Sequence, residues 1–168
     1  ISSRRGPLFN ADDVVKRLYK SKNFKKLISK KLNFRLNKNF KLNVKHRILE
    51  NKFNLKKIEK IIHPLVRKKM KIFIKKNKNK KFLFFEIPLL IESKLKKYFN
   101  CIIFIRSKER LRLKRYLSKG GNKKLFTTLN KHQLKDTIKM KFCDHIVVNN
   151  QSLSILKKRL FNIIKLYE

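Results

Sequence analysis

A three-layer α/β fold around a parallel sheet is predicted by three features of the sequence. Short apolar runs stand at residues 82–87, 101–105 and 145–148, rich in Phe, Ile and Val and too short for helices. Almost every position in them is apolar, which suits strands buried on both faces of a parallel sheet. The segments between them carry helical spacing, and strands that alternate with helices pack helices onto both faces of a sheet.

Taken in order, Leu8-Phe9 is a short apolar piece that ends at Asn10-Ala11-Asp12-Asp13, and a helical run follows at residues 14–19. Leu55, Ile58, Ile61, Ile62 and Leu65 recur at helical spacing. His63-Pro64 interrupts them: a proline disfavours helix at the residue before it and is tolerated at the start of a new helix, so a break with freed amides is predicted there. The run at 82–87 lies between the lysine-rich turn of 75–81 and Pro88. Residues 109–119 and 125–141 read as two helices with very basic outer faces. Ser152 is a natural N-cap for a last helix with the stripe Leu153, Leu156, Leu160, Ile163 and Ile164. No internal repeat is evident.

The 168 residues fit one domain, 1–168, and a 42% hydrophobic content supplies its core. A formal charge of +38 points first to nucleic acid. However, the lysines are spread along the whole chain and accompany abundant Asn and Ile, 14 Phe, 3 Gly, 3 Pro, no Trp and the single alanine Ala11. Codon bias toward A and T produces that pattern without a ligand, so the charge alone selects no polyanion partner. Cys101 and Cys143 are too few for a zinc site or a disulfide framework and read as reduced core thiols. No apolar stretch approaches the roughly 20 residues of a membrane span, and no signal peptide opens the chain, so an intracellular, cytoplasmic protein with no membrane partner is expected. Oligomeric state is not legible. Ile1-Ser2-Ser3-Arg4-Arg5 reads as a start partway into the fold.

Four groups could do chemistry. Asp12, at a strand's carboxyl end where a helix begins, could accept a proton from a substrate hydroxyl, or it could be a helix N-cap. His63 and Arg67, four residues apart, share a helix face that could hold an anion, or they could be solvated side chains on a kinked helix. Glu86 is a carboxylate in an otherwise apolar strand and needs a cation, a hydrogen-bond partner or a wet edge; magnesium or its waters would satisfy it, and so would a lysine. Arg112, Arg115, Lys119, Lys123, Lys124, Lys135 and Lys139 could stabilise a transferring phosphoryl group, although such a run is more often a solvated face.

In combination these pieces resemble dephospho-CoA kinase, a P-loop kinase of the nucleoside monophosphate kinase type. The resemblance runs from about Gly6 to the end of the chain. The family's Asp-Ala-Asp is similar to Asn10-Ala11-Asp12, and its His-Pro-x-x-Arg is His63-Pro64-Leu65-Val66-Arg67. Its Asp-x-Pro-Leu-Leu-x-Glu resembles Glu86-Ile87-Pro88-Leu89-Leu90-Ile91-Glu92. The lid pattern matches at Leu113, Arg115, Gly121, Gln133 and Lys139, and the closing Asp-x-Val-Ile-Asp-Asn resembles residues 144–149.

The resemblance implies a P-loop kinase-like parallel sheet with a lid at about 108–142 and acceptor-binding helices. It implies phosphorylation of the ribose 3′-hydroxyl of dephospho-CoA by ATP with Mg2+, the last step of CoA synthesis. Asp12 would be the base or orienter, His63 and Arg67 would hold dephospho-CoA, and Pro88, Leu89 and Leu90 would shape the acceptor pocket. Glu86 would stand at its magnesium-bearing edge and Glu92 at its polar edge. Arg115 and Lys139 would close over the phosphates, and Asn149 would lie near the adenine of ATP. The alternatives are a lysine-rich nucleic-acid binder, and a P-loop kinase with a different small-molecule acceptor.

Three departures from the family pattern stand out. Asn10 replaces a carboxylate. Lys119 and Lys139 stand where many members carry Arg, giving point charges in place of planar forks. No Gly-x-x-x-x-Gly-Lys-Ser/Thr loop occurs in the chain. A truncated sequence, or one with a misplaced start, is expected, lacking the first strand and the main nucleotide grip, and with it no CoA formation by the 168-residue chain as it stands.

Overall fold

The computed structural model describes residues 5–168; Ile1 to Arg4, read above as part of the chain's abrupt start, lie outside the described residues. Two compact units divide the chain, one ending at Pro88 and the other spanning Leu89–Glu168.

In the first unit, strand β1 (Leu8–Asn10) runs directly into helix α1 (Ala11–Leu18). Two helices follow that the spacing had not singled out, α2 (Lys22–Lys31) and α3 (Phe40–Glu50). Their signal is brief: Phe24, Ile28 and Leu32 recur every fourth residue and are buried, as do Phe40, Val44 and Ile48. Helix α4 (Phe53–Lys76) comes next, and β2 (Phe84–Glu86) pairs parallel with β1 in the register Leu8↔Phe84, Phe9↔Phe85, Asn10↔Glu86. The rings of Phe9, Phe73 and Phe85 meet with centroids 5.4 to 5.8 Å apart, which seats the strand pair on α4. Gly6 admits no side chain, because a Cβ there would overlap the Phe82 carbonyl oxygen.

The break predicted at His63-Pro64 is absent: α4 continues for 24 residues with Pro64 inside it. A proline within a helix costs about 3 kcal/mol through its lost hydrogen bond and ring clash. Ile58 on one side and Val66 and Met70 on the other are buried, and each such burial contributes about 1.5–3 kcal/mol. Packing on both sides therefore outweighs the local defect, and the helix runs on without the predicted break.

The second unit opens with a turn in which Leu95 N donates to Leu90 O at 3.1 Å, followed by a 3-10 turn at Lys96–Tyr98. Its strands are β3 (Ile103–Arg106) and β4 (His145–Val148), parallel in the register Ile103↔His145 to Arg106↔Val148. Helix α5 (Glu109–Leu117) lies between them in sequence, and α8 (Leu153–Lys165) follows β4 with Ser152 as its N-cap. The single helix expected at 125–141 is two, α6 (Lys123–His132) and α7 (Asp136–Met140). Leu134 N donates to the Glu92 carboxylate at 3.1 Å instead of to a helix carbonyl, and Gln133 is extended.

The expectation of strands buried on both faces needs correction. Glu86, Ile105, Arg106, Ile146 and Val148 are exposed, and in β4 the exposed Ile146 and Val148 flank the buried Val147, so that strand has one covered face and one open face. Cys101 and Cys143 are free thiols, half-buried rather than core. Among the described residues no helix is long and apolar enough to cross a membrane.

Candidate active site

The parallel register places the carboxyl ends of β1 and β2 side by side, and with them Asn10 and Glu86. Asn10 Nδ2 donates to Glu86 Oε2 at 2.6 Å, while its Oδ1 accepts from Asp13 N at 3.1 Å and caps α1. The partner that Glu86 required is thus an amide and not a lysine, and the cap considered for Asp12 belongs to Asn10. Asp12 is exposed in the first turn of α1, where the helix's unpaired N–H groups favour a negative charge. Asp13 is paired with Lys16 at 2.9 Å, which holds its carboxyl below the usual range. Lys16, left out of the sequence reading, also feels Asp12 and Glu86, and these raise its pKa after Asp13 does. Its signal was the helical spacing from Asp12 and Asp13.

His63 and Arg67 lie one turn apart on α4, the helix against which α1 packs. His63 is half-buried and Arg67 exposed. Burial pushes the His63 pKa below its ordinary value; Glu59, one turn earlier, works against that shift and Arg67 adds to it. The shift favours the neutral imidazole over the charged one beside the Arg67 guanidinium.

In the second unit the carboxyl ends of β3 and β4 border a cleft of about 600 Å³. Arg106, Lys108, Arg112, Lys131 and Lys135 supply positive charge to its wall, partly offset by Glu109 and Asp136. Arg115 reaches from α5 to Ser107 Oγ at 3.4 Å and to Asn149 O at 3.2 Å. Lys108 N donates to Asn150 Oδ1 at 3.0 Å, so the two strand-end loops are tied together. Arg112 Nε and Asn149 Oδ1 are buried with no hydrogen-bond partner. Ser107 and Asn150 had gone unnoticed, since nothing local distinguishes a serine or asparagine after a strand.

Lys139 is turned inward. Its ammonium meets Glu92 Oε1 at 2.9 Å and Gln133 Oε1 at 2.9 Å, with side-chain exposures of 7% for Lys139 and 16% for Glu92. Leu89 and Leu90 are half-buried in the turn after the exposed Pro88. Among the described residues, no group of three or more His, Cys, Asp or Glu is arranged to hold a metal ion.

The dephospho-CoA kinase family model matches residues 8–154. The chain belongs to the dephospho-CoA kinase family. That match contains every motif quoted above, from Asn10 to Asn149. A dephospho-CoA kinase of Bartonella quintana (strain Toulouse) is 31% identical over 166 residues, covering 94% of this chain and 84% of its own length. One from Fusobacterium nucleatum subsp. nucleatum is 30% identical over 158 residues, covering 91% and 81%. The solved dephospho-CoA kinase from Campylobacter jejuni shares the fold with a TM-score of 0.58 at 24% identity, covering 95% of this chain and 83% of that one. Dephospho-CoA kinases transfer a phosphoryl group from ATP to the ribose 3′-hydroxyl of dephospho-CoA, completing CoA synthesis, and membership assigns that function to the intact protein. The nucleic-acid reading and a kinase for another acceptor are not favoured.

Proposed function

We propose that Asp12 is the base, or orienter, for the ribose 3′-hydroxyl of dephospho-CoA. The observation that carries this is the cluster at the paired strand ends: Asp12 on the first turn of α1, next to the Asn10–Glu86 pair. A carboxylate there can take the hydroxyl proton as the oxygen attacks the terminal phosphorus of ATP. His63 and Arg67 hold the acceptor, Arg67 as a planar fork for a phosphate and His63 as its hydrogen-bonding neighbour. Pro88, Leu89 and Leu90 wall the acceptor pocket.

The cationic cleft of the second unit takes ATP. Asn149, whose buried Oδ1 has no partner, offers an acceptor for the exocyclic amine of adenine. Arg115 supplies charge to the phosphates, and Lys139 would join it by exchanging Glu92 for a phosphate oxygen. Mg2+ fits at Glu86, whose Oε2 is taken by Asn10 and whose side chain is exposed; that ion commonly uses one or two carboxylates with waters and substrate phosphates. When bound it neutralises charge on the phosphate oxygens. We place this chemistry in the cytoplasm, with no specific nucleic-acid partner.

Binding calorimetry with dephospho-CoA and CoA tests the role of Asp12. A 3′-phosphate beside its carboxylate is repelled, so the unsubstituted chain is expected to prefer dephospho-CoA. Asp12→Asn is expected to narrow that preference about tenfold, or about 1.4 kcal/mol. An unchanged ratio would remove Asp12 from the 3′ position.

A further inference from the structure

We propose that Asn10 is a positioning residue: a two-ended amide clamp that fixes the Glu86 carboxylate and the first turn of α1 together, and adds no charge of its own beside Glu86 where the paired strands end. Its two hydrogen bonds leave no freedom in the assignment of the amide. Reversing it would set oxygen against the Glu86 carboxylate and NH2 against the Asp13 N–H, acceptor to acceptor and donor to donor.

Capping α1 does not by itself require an amide, since Asp and Ser cap as well. Donating to Glu86 at 2.6 Å rules out an ionised Asp, which has no donor, and Ser would have to meet with one oxygen the two partners that Asn10 meets with two separate atoms of a longer side chain. An aspartate at this position would set two carboxylates against each other, and such a pair repels or recruits a cation. Asn10 is thus not a lost carboxylate but a substitute that holds Glu86 without competing charge. The link reaches Asp12 through the helix it caps, so one side chain sets the geometry of both acids. The inference rests on reading Glu86 as the cation-facing edge of the acceptor site.

The test is a cycle of Asn10→Asp, Glu86→Gln and the double variant, with Asn10→Ser as a control that keeps a cap and adds no charge. Each is followed by thermal melting in chelator and by manganese binding without nucleotide. Asn10→Asp is expected to melt several degrees lower in chelator, to bind manganese about tenfold more tightly and to regain its melting temperature when the ion is added. The double variant restores an amide facing a carboxylate with the ends exchanged. It is expected to melt near the unsubstituted chain and to lose the gain in manganese affinity. Asn10→Ser is expected to melt lower with no such gain. Additive melting shifts around the cycle would overturn the clamp, leaving Asn10 a cap only. Coupling without a gain in manganese binding would uphold the clamp and overturn instead the assignment of Glu86 to a cation.

Discussion

His63 shows how a single residue is read differently once its surroundings are known. The sequence placed it beside Arg67, and that spacing holds; what it did not show is the partial burial that lowers the imidazole's pKa from 6.5. The unfolded chain therefore binds the extra proton first. The stability due to this group is full above about 6.5 and is lost as pH falls through the lower folded value. His63→Gln is expected to flatten that part of a melting-temperature profile, and an unchanged slope between about pH 7.5 and 5 would show that other groups carry it. Asn10 is the opposite case. Its identity was legible, as a departure from an acid, but its function was not, because the strand register that brings Glu86 beside it joins residues 76 positions apart.

The helices show where local rules yield to packing. Proline chemistry correctly marks Pro64 as a defect, yet α4 passes through it because apolar residues on both sides are buried. Pro64→Ala is expected to stabilise the chain by up to about 3 kcal/mol in urea unfolding. A destabilised variant would mean that Pro64 shapes α4 in some way other than as a defect. The gap between α6 and α7 went unseen for the converse reason, since residues 125–141 have adequate helical spacing and the interruption comes from Glu92, 42 residues before Leu134. Lys139→Met leaves a mostly buried carboxylate without its cation and is expected to cost about 3 kcal/mol, with much of that recovered when Glu92→Met is added. Equal stability of the single variant and the unsubstituted chain would show that the pair does not hold this turn.

Across the whole chain the dominant physical fact is charge. At +38 net, self-repulsion opposes the compact state, and four of the ten acids are engaged in ion pairs: Asp13 with Lys16, Glu50 with Arg47, Asp136 with Arg106 and Glu92 with Lys139. Added salt screens that repulsion, since the screening length falls from about 10 Å at 0.1 M to about 3 Å at 1 M. The melting temperature is expected to rise between about 0.05 and 0.5 M sodium chloride while dephospho-CoA binding weakens. A melting temperature that falls with salt would mean that the ion pairs outweigh the repulsion.

From its order of residues alone, this chain determined its class and its chemistry. Apolar runs at 82–87, 101–105 and 145–148 predicted parallel strands, and the motifs around Asp12, His63, Arg67 and Pro88 carried the family, because both signals are local in the chain. Tertiary structure decided what depends on distant partners: that α4 is continuous, that Lys139 faces Glu92, and that Asn10 and Glu86 stand side by side. Those outcomes follow from burial and strand register, which set energies between residues that the sequence keeps far apart.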